Sequence, residues 1–399
     1  MKKSVVALGI AVGVSLAAVT GASANGSAQA RQASGANCSG TINIPLLSVL
    51  TGPAAFLGND QLSWAKLAAK REGPKLGHKF NIVGVDTQLD PAVAATAAQK
   101  VIATDSNVIV IGPATSGGSA ATSKAFFDAK VANISPSATN AALTKSVGGK
   151  APTTTAAFYR VVADDSVQGT RDAQYILNVL KAKKVTVIDT QEPYSVGLAD
   201  IVGSYLKANG VTVQRESVTN NTVDFSAIVN KIAKDTDVVF TPWQVAANAQ
   251  VLGVGLREAG KAAVLFGTDG TDDPSSFKLS GSFVSNFGPD ISADAAGKPY
   301  VDAWNKDNPG KTFSAFGPPA YLAAQVAMQA IATSCKTNQN TFATRASVFS
   351  IVHAVKVATP IYGGPFRFST KTHDPLNGSF WLFQIGSDGK YKQIGKLGS

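Results

Sequence analysis

Serine and threonine gather at two places where an apolar run ends, a pattern suited to holding a small acid. Asn107-Val-Ile-Val-Ile-Gly112 reads as a buried strand and runs into Pro113-Ala-Thr115-Ser116-Gly117-Gly118-Ser119, which opens a helix. Val131-Ala-Asn-Ile134 ends in the same way, in Ser135-Pro136-Ser137-Ala138-Thr139-Asn140. Adjoining strand ends that offer hydroxyls and free N–H groups beside helix N-termini make a carboxylate site. A carboxylate can accept several charge-assisted bonds there without a formal cation nearby. The chemistry implied is recognition of a small anionic or zwitterionic molecule.

Catalytic patterns are missing from the sequence. It has no G-x-S-x-G elbow, no H-E-x-x-H, no P-loop and no G-x-G-x-x-G, and Gly253-Val-Gly255 lacks the third glycine. His78, His353 and His373 are not adjacent in sequence to a candidate nucleophile. Two lone thiols, Cys38 and Cys335, cannot by themselves hold zinc. A binding protein without metal or cofactor is the expectation, with a secreted hydrolase as the alternative.

Lys2 and Lys3 precede an apolar run from Val5 to about Val19, followed by Ala22-Ser23-Ala24. A positive start, an apolar middle and an A-x-A site predict a secretory signal cleaved after Ala24. Residues 25–38 then read as a flexible leader. Removing Lys2 and Lys3 takes the 36 basic residues to 34; against 26 acids the mature charge is +8. The lysines are scattered and the longest basic run is Lys183-Lys184, so a solvated basic surface is expected rather than a nucleic-acid site. Export places both cysteines in an oxidising compartment and predicts a Cys38–Cys335 disulfide.

Strand and helix patterns alternate almost without interruption, which predicts an α/β fold with parallel sheets covered by helices on both faces. One series runs from Thr41–Leu50 through Val131–Ile134, and a second from the helix Ser166–Leu180 to the strand Ala262–Gly267. Two lobes are expected: 39–162 with 291–358, and 163–290 with 365–399. Polar or Gly/Pro-rich crossings near 162–164, 288–291 and 359–364 would form a hinge able to close the lobes over a ligand.

At this level the chain resembles the extracytoplasmic solute-binding proteins of ATP-driven (ABC) importers, in the branched-chain amino acid group. The resemblance rests on Leu50-Thr-Gly-Pro-Ala-Ala-Phe-Leu-Gly58, Gly112 to Ser119, Ile134 to Leu143, Tyr194-Ser-Val-Gly-Leu198 and Asp224-Phe225-Ser226. It implies a type I periplasmic-binding fold, two Rossmann-like lobes joined by a three-crossing hinge, with the ligand in the cleft. On this sequence the carboxylate would sit on Ser116 and Thr139. The ammonium would meet the Ser137 carbonyl, the Thr139 hydroxyl and Asp269. Tyr194 and Trp243 would cover the ligand from the second lobe, and Leu57 or Phe56 would form part of the side-chain wall. The implied ligand is an amino acid, branched-chain or otherwise apolar, with an aromatic acid or amide as the alternative. The implied partner is a membrane permease served by a monomer, with a sensory role as the variant reading. Asp269 is one methylene shorter than the Glu common in the family, and Pro242-Trp243-Gln244-Val245-Ala246 lacks the Tyr-rich look of leucine-type proteins.

Overall fold

The computed structural model describes residues 35–144, 156–358 and 361–398. The expected signal sequence lies outside the described residues. The first part of the chain runs β1 (Ala36–Asn37), β2 (Thr41–Ser48), α1 (Ala55–Glu72), β3 (Lys79–Asp86), α2 (Pro91–Ile102), β4 (Ile109–Ile111), α3 (Ser116–Asp128), β5 (Ala132–Ser135) and β6 (Phe158–Arg160). The second series is α4 (Asp165–Asn178), β7 (Lys184–Asp189), α5 (Pro193–Ala208), β8 (Thr212–Ser217), α6 (Ser226–Lys231), β9 (Val238–Thr241), α7 (Ala246–Glu258), β10 (Val264–Gly267) and β11 (Phe283–Asn286). There follow α8 (Lys298–Asp307), α9 (Gly317–Thr337), β12 (Phe342–Ala343), α10 (Arg345–Ile351), β13 (Lys356–Val357), β14 (Phe366–Arg367), β15 (Trp381–Ile385) and β16 (Tyr391–Lys396).

Two sheets organise these elements. The first has the order β3-β2-β4-β5-β6 and is parallel throughout. The second has the order β16-β15-β11-β10-β9-β7-β8, with β15 and β16 antiparallel at one edge. Side chains alternate across a strand, so a fully apolar strand feeds two cores. Ile109 and Ile111 pack with α1 and α9, while Val110 packs with Ala97, Ala98 and Phe126 on α2 and α3. In the second sheet Val238 and Phe240 meet Ala173 of α4 and Leu198 of α5, while Val239 meets Ala249 and Leu252 of α7.

The strand orders position the site. In the first sheet the chain winds one way from β2 to β3 and the other way from β4 onward; in the second the same reversal falls between β7 and β9. A crevice opens at the carboxyl ends of strands where the winding reverses. The loops after β2, β4, β7 and β9 therefore converge, carrying Phe56 and Leu57, Ser116, Tyr194 and Trp243. Gly112 makes one of these turns possible: it sits at φ +98°, and a Cβ there would lie 2.3 Å from the Leu47 carbonyl oxygen.

Near two of the expected crossings the packing changes: Val161 and Ile291 join the cluster around the first sheet, and Val162 and Phe287 join the cluster that includes the second sheet. Two expectations need correcting. The passage expected near 359–364 falls later: Ile361, Phe366 and Phe368 belong to the first-lobe core, and Phe380 is the first residue in the second-lobe core. The reason is that β14 pairs with β13, His373 stacks on Tyr159 at 4.2 Å, and Phe368 packs against the same ring, tilted, at 5.0 Å. The segment 365–374 is thus part of the first lobe. The leader expected over 25–38 is also too long, because Ala36–Asn37 pairs with Phe342–Ala343 and Cys38 is bonded to Cys335.

Candidate functional site

Helix α3 begins where β4 ends, and its cap frees Ser116 for another role. Thr115 Oγ1 accepts the Gly118 N–H at 3.2 Å, so the capping function is already filled. Ser116 Oγ instead accepts the Asn140 N–H at 3.2 Å, which brings the two Ser/Thr-rich strand ends together. With Thr115 serving Gly118, the N–H groups of Ser116 and Gly117 precede the first intrahelical bond. The neighbouring hydroxyls build the frame: Ser135 Oγ donates to the Pro113 carbonyl at 2.7 Å. Ser137 Oγ donates to the Ala114 carbonyl at 2.7 Å and accepts from Gln61 Nε2 at 2.8 Å. Thr139 is different, since its Oγ1 is buried and has no partner within hydrogen-bond geometry.

Arg160 shapes the Thr139 loop. Its guanidinium is fully buried, and Nη1 donates to the carbonyls of Ala138 and Asn140 at 3.0 and 2.9 Å, on either side of Thr139. Nε pairs with Asp374 at 2.6 Å, and Nη2 donates to the Thr144 hydroxyl. Nothing in the sequence singles out Arg160 for this role.

From the second lobe, Glu192 caps α5 by accepting the N–H groups of Tyr194 and Ser195 at 3.1 and 2.9 Å. The Tyr194 hydroxyl donates to Asp269 Oδ1 at 2.8 Å and lies 2.6 Å from Thr268 Oγ1. Gly270 lets this pair form, because a Cβ there would lie 2.1 Å from the Trp243 carbonyl oxygen and 3.2 Å from the Tyr194 ring. Asn140 Nδ2 donates to the Pro193 carbonyl at 2.6 Å and the Asp165 N–H donates to the Thr139 carbonyl at 2.9 Å. Ser116, Thr139, Tyr194 and Asp269 thus stand around one contact between the lobes, and all four are buried.

The apolar wall is assembled from both sides. Leu57 packs in one cluster with Tyr194, Phe287 and Phe316, and Phe56 meets Phe316 edge-on at 5.8 Å. Trp243 does not act as an open wall. Its indole N–H donates to the Ile188 carbonyl at 2.7 Å and its ring stacks on Phe225 at 5.3 Å, within the second-lobe core. Two open cavities lie beside the crevice rather than in it. One of about 200 Å³ is lined by Phe56, Asp60, Asp273, Trp304 and Phe313. The other, about 460 Å³, lies against Pro289–Ile291, Phe313 and Tyr391. Neither is lined by Ser116 or Thr139, so the hydroxyls and helix N-terminus, not cavity size, locate the candidate site.

Sequence reasoning named Asp269 but missed the other acids buried in this region. Burial pushes Asp269 up to about 6, against the Gln168 amide and the Tyr194 hydroxyl, which favour its charge. Burial likewise pushes Glu192, Asp60 and Asp272 up to about 7. A carboxyl whose folded pKa exceeds its unfolded value stabilises the protein below the unfolded value, near 4, and that stability is lost as pH rises through the folded pKa. The ligand-free protein should therefore melt at a lower temperature at about pH 8 than at about pH 5.5 in scanning calorimetry. A higher melting temperature at pH 8 would contradict the effect of burial on these acids. Among the described residues no group of acids, cysteines and histidines could hold a metal ion, and no helix is long and apolar enough to cross a membrane.

Two α/β lobes that meet over hydroxyls, main-chain amides and a buried acid define a solute-binding protein of the periplasmic type. The chain belongs to the periplasmic binding protein family, whose pattern it matches over residues 41–390. An amino acid binding protein of Pseudomonas aeruginosa is 32% identical over 196 residues, 48% of this chain and 50% of that protein. The chain thus spans about half the length of the first relatives it matches. A Leu/Ile/Val-binding protein homolog of Brucella melitensis is 27% identical over 359 residues, 88% of this chain and 92% of that protein. Among solved structures, a leucine binding protein from Thermotoga maritima superposes with a TM-score of 0.77 at 21% identity, covering 89% of this chain and 98% of that one. A branched-chain amino acid transporter substrate binding protein from Streptococcus pneumoniae, in complex with isoleucine, gives 0.74 at 22% identity, covering 89% and 100%. These likenesses show the type I periplasmic-binding fold.

Proposed function

We propose that the protein is the extracytoplasmic substrate-binding component of an ABC importer, exported by a signal cleaved near Ala24. It captures one small amino acid, branched-chain or otherwise apolar, between its lobes and delivers it to a membrane permease. It acts as a monomer and carries no catalytic step. The observation that carries this reading is the approach of Ser116 and the Thr139 loop at the N-terminus of α3, facing Tyr194 and Asp269 of the other lobe.

The ligand carboxylate is received by the Ser116 hydroxyl and the first N–H groups of α3, the Thr139 region accepts from its ammonium, and Leu57, Phe56 and Phe316 enclose its side chain. The three crossings let the lobes part, and a ligand favours closure only by its differential affinity for the closed state. The surfaces bordering the cleft mouth then form the face presented to the permease. Calorimetric titration with amino acids, aromatic acids and amides tests the reading. One-to-one binding of an apolar amino acid supports it; turnover of a chromogenic ester with no solute bound would favour a hydrolase.

A further inference from the structure

One bond between the lobes stands apart from the crossings. Asn140 ends the Thr139 loop, half-buried at the rim of the crevice. Its amide orientation is fixed, because Oδ1 accepts the Ala142 N–H at 2.8 Å and Nδ2 is left to donate elsewhere. Nδ2 donates to the Pro193 carbonyl at 2.6 Å, in the first turn of α5. A carbonyl oxygen has two lone pairs, so it can serve Asn140 as well as its own helix.

Helix α5 is shaped to receive this amide. Gly197, one turn along from Pro193, leaves a notch: a Cβ there would lie 2.6 Å from Asn140 Nδ2 and would meet no other side chain. Glycine inside a helix is destabilising relative to alanine, and here it permits the close approach of the other lobe. The other main-chain contact is different in kind. In it the Asp165 N–H donates to the Thr139 carbonyl at 2.9 Å, and Asp165 lies only a few residues past Val161 and Val162, where the packing changes. Pro193 is 53 residues from Asn140 and follows β7 of the second sheet. Parting the lobes therefore breaks the Asn140 bond and returns both groups to water. The Asn140 backbone stays with the first lobe, where its N–H donates to Ser116 Oγ at 3.2 Å and its carbonyl accepts from Arg160 Nη1 at 2.9 Å. Only its amide reaches across.

We propose that Asn140 is an interlobe latch: its amide, seated in the Gly197 notch of α5, holds the closed form and slows release of the bound solute. This deepens the reading above, on which it rests, by naming what regulates the dwell time at that site. The open form captures the ligand before the bond forms, so the latch acts on release and not on capture. One hydrogen bond whose partners are hydrated in the open form contributes a modest factor, which prolongs closure without locking it.

The test measures leucine association and release by stopped-flow intrinsic fluorescence. Asn140→Asp keeps the acceptor for the Ala142 N–H but sets a carboxylate against the Pro193 carbonyl. It should raise the release rate about 3- to 10-fold, with the association rate changed less than about twofold. Gly197→Ala should also speed release, while the ligand-free protein melts no lower than the unaltered one, since alanine suits a helix better. With the amide removed by Asn140→Ala, adding Gly197→Ala should bring no further change in the release rate. An unchanged release rate in Asn140→Asp, or a further increase in the double variant, overturns the latch while leaving the binding-protein reading in place. Slower association with unchanged release does the same. Failure of leucine to bind the unaltered protein overturns both.

Discussion

Arg160→Leu is expected to lower the free energy of unfolding by about 3–5 kcal/mol, the usual cost of breaking a buried ion pair from one side. The substitution leaves the Asp374 carboxylate without its cation and frees the Ala138 and Asn140 carbonyls that hold the Thr139 loop. Because that loop faces α3 across the Ser116–Asn140 bond, ligand affinity should fall together with stability. Urea denaturation followed by circular dichroism measures the first effect, and titration of the folded variant measures the second. The double variant Arg160→Leu/Asp374→Leu should recover part of the stability, since the stranded charge is gone, but not the affinity. A loss below about 1 kcal/mol for Arg160→Leu would mean the pair is not the anchor described here.

The Cys38–Cys335 bond should show the opposite combination, a large effect on stability and almost none on binding. The two cysteines are 297 residues apart, so the bond closes most of the chain into a loop. Loop-closure entropy for that span is about 6 kcal/mol, and native-state and denatured-state effects usually bring the measured value to about 2–4 kcal/mol. Cys38 lies just before β2, whereas the crevice lies past the strand's other end, where Ser48 leads toward Phe56. Cys38→Ser/Cys335→Ser should therefore move the denaturation midpoint strongly and change the dissociation constant less than about twofold. A large affinity change would place the bond within the hinge mechanism instead.

Much of this architecture was legible in the residues because its signals are local. Asp90-Pro91 is a capping residue followed by a first-turn proline, and the structure shows Asp90 accepting two N–H groups at the start of α2. The apolar runs around Ile111 and Ile134, each ending in hydroxyls, marked the strands whose carboxyl ends meet. The lobe passage near 375–379 was not legible. It depends on Phe368 and His373 packing against Tyr159, a residue more than 200 positions earlier, while the Gly-rich 359–364 stretch imitated a linker. Asp165 escaped notice for a similar reason. Two consecutive acids at a helix start look like ordinary capping, and only the three-dimensional arrangement shows that Asp164 does the capping while Asp165 is completely buried. Trp243 was overvalued because aromatic residues after strands line many clefts, yet here its N–H and its ring both serve the core.

The account depends on a carboxylate being gripped at the start of α3 by Ser116 and main-chain amides. The most direct measurement is the affinity of the unaltered protein for leucine and for leucine methyl ester, under identical conditions. The ester keeps the ammonium and the side chain but removes the negative charge. The account predicts that leucine binds and that the ester binds at least about tenfold more weakly. Equal affinity for the two, or tighter binding of the ester, would contradict it.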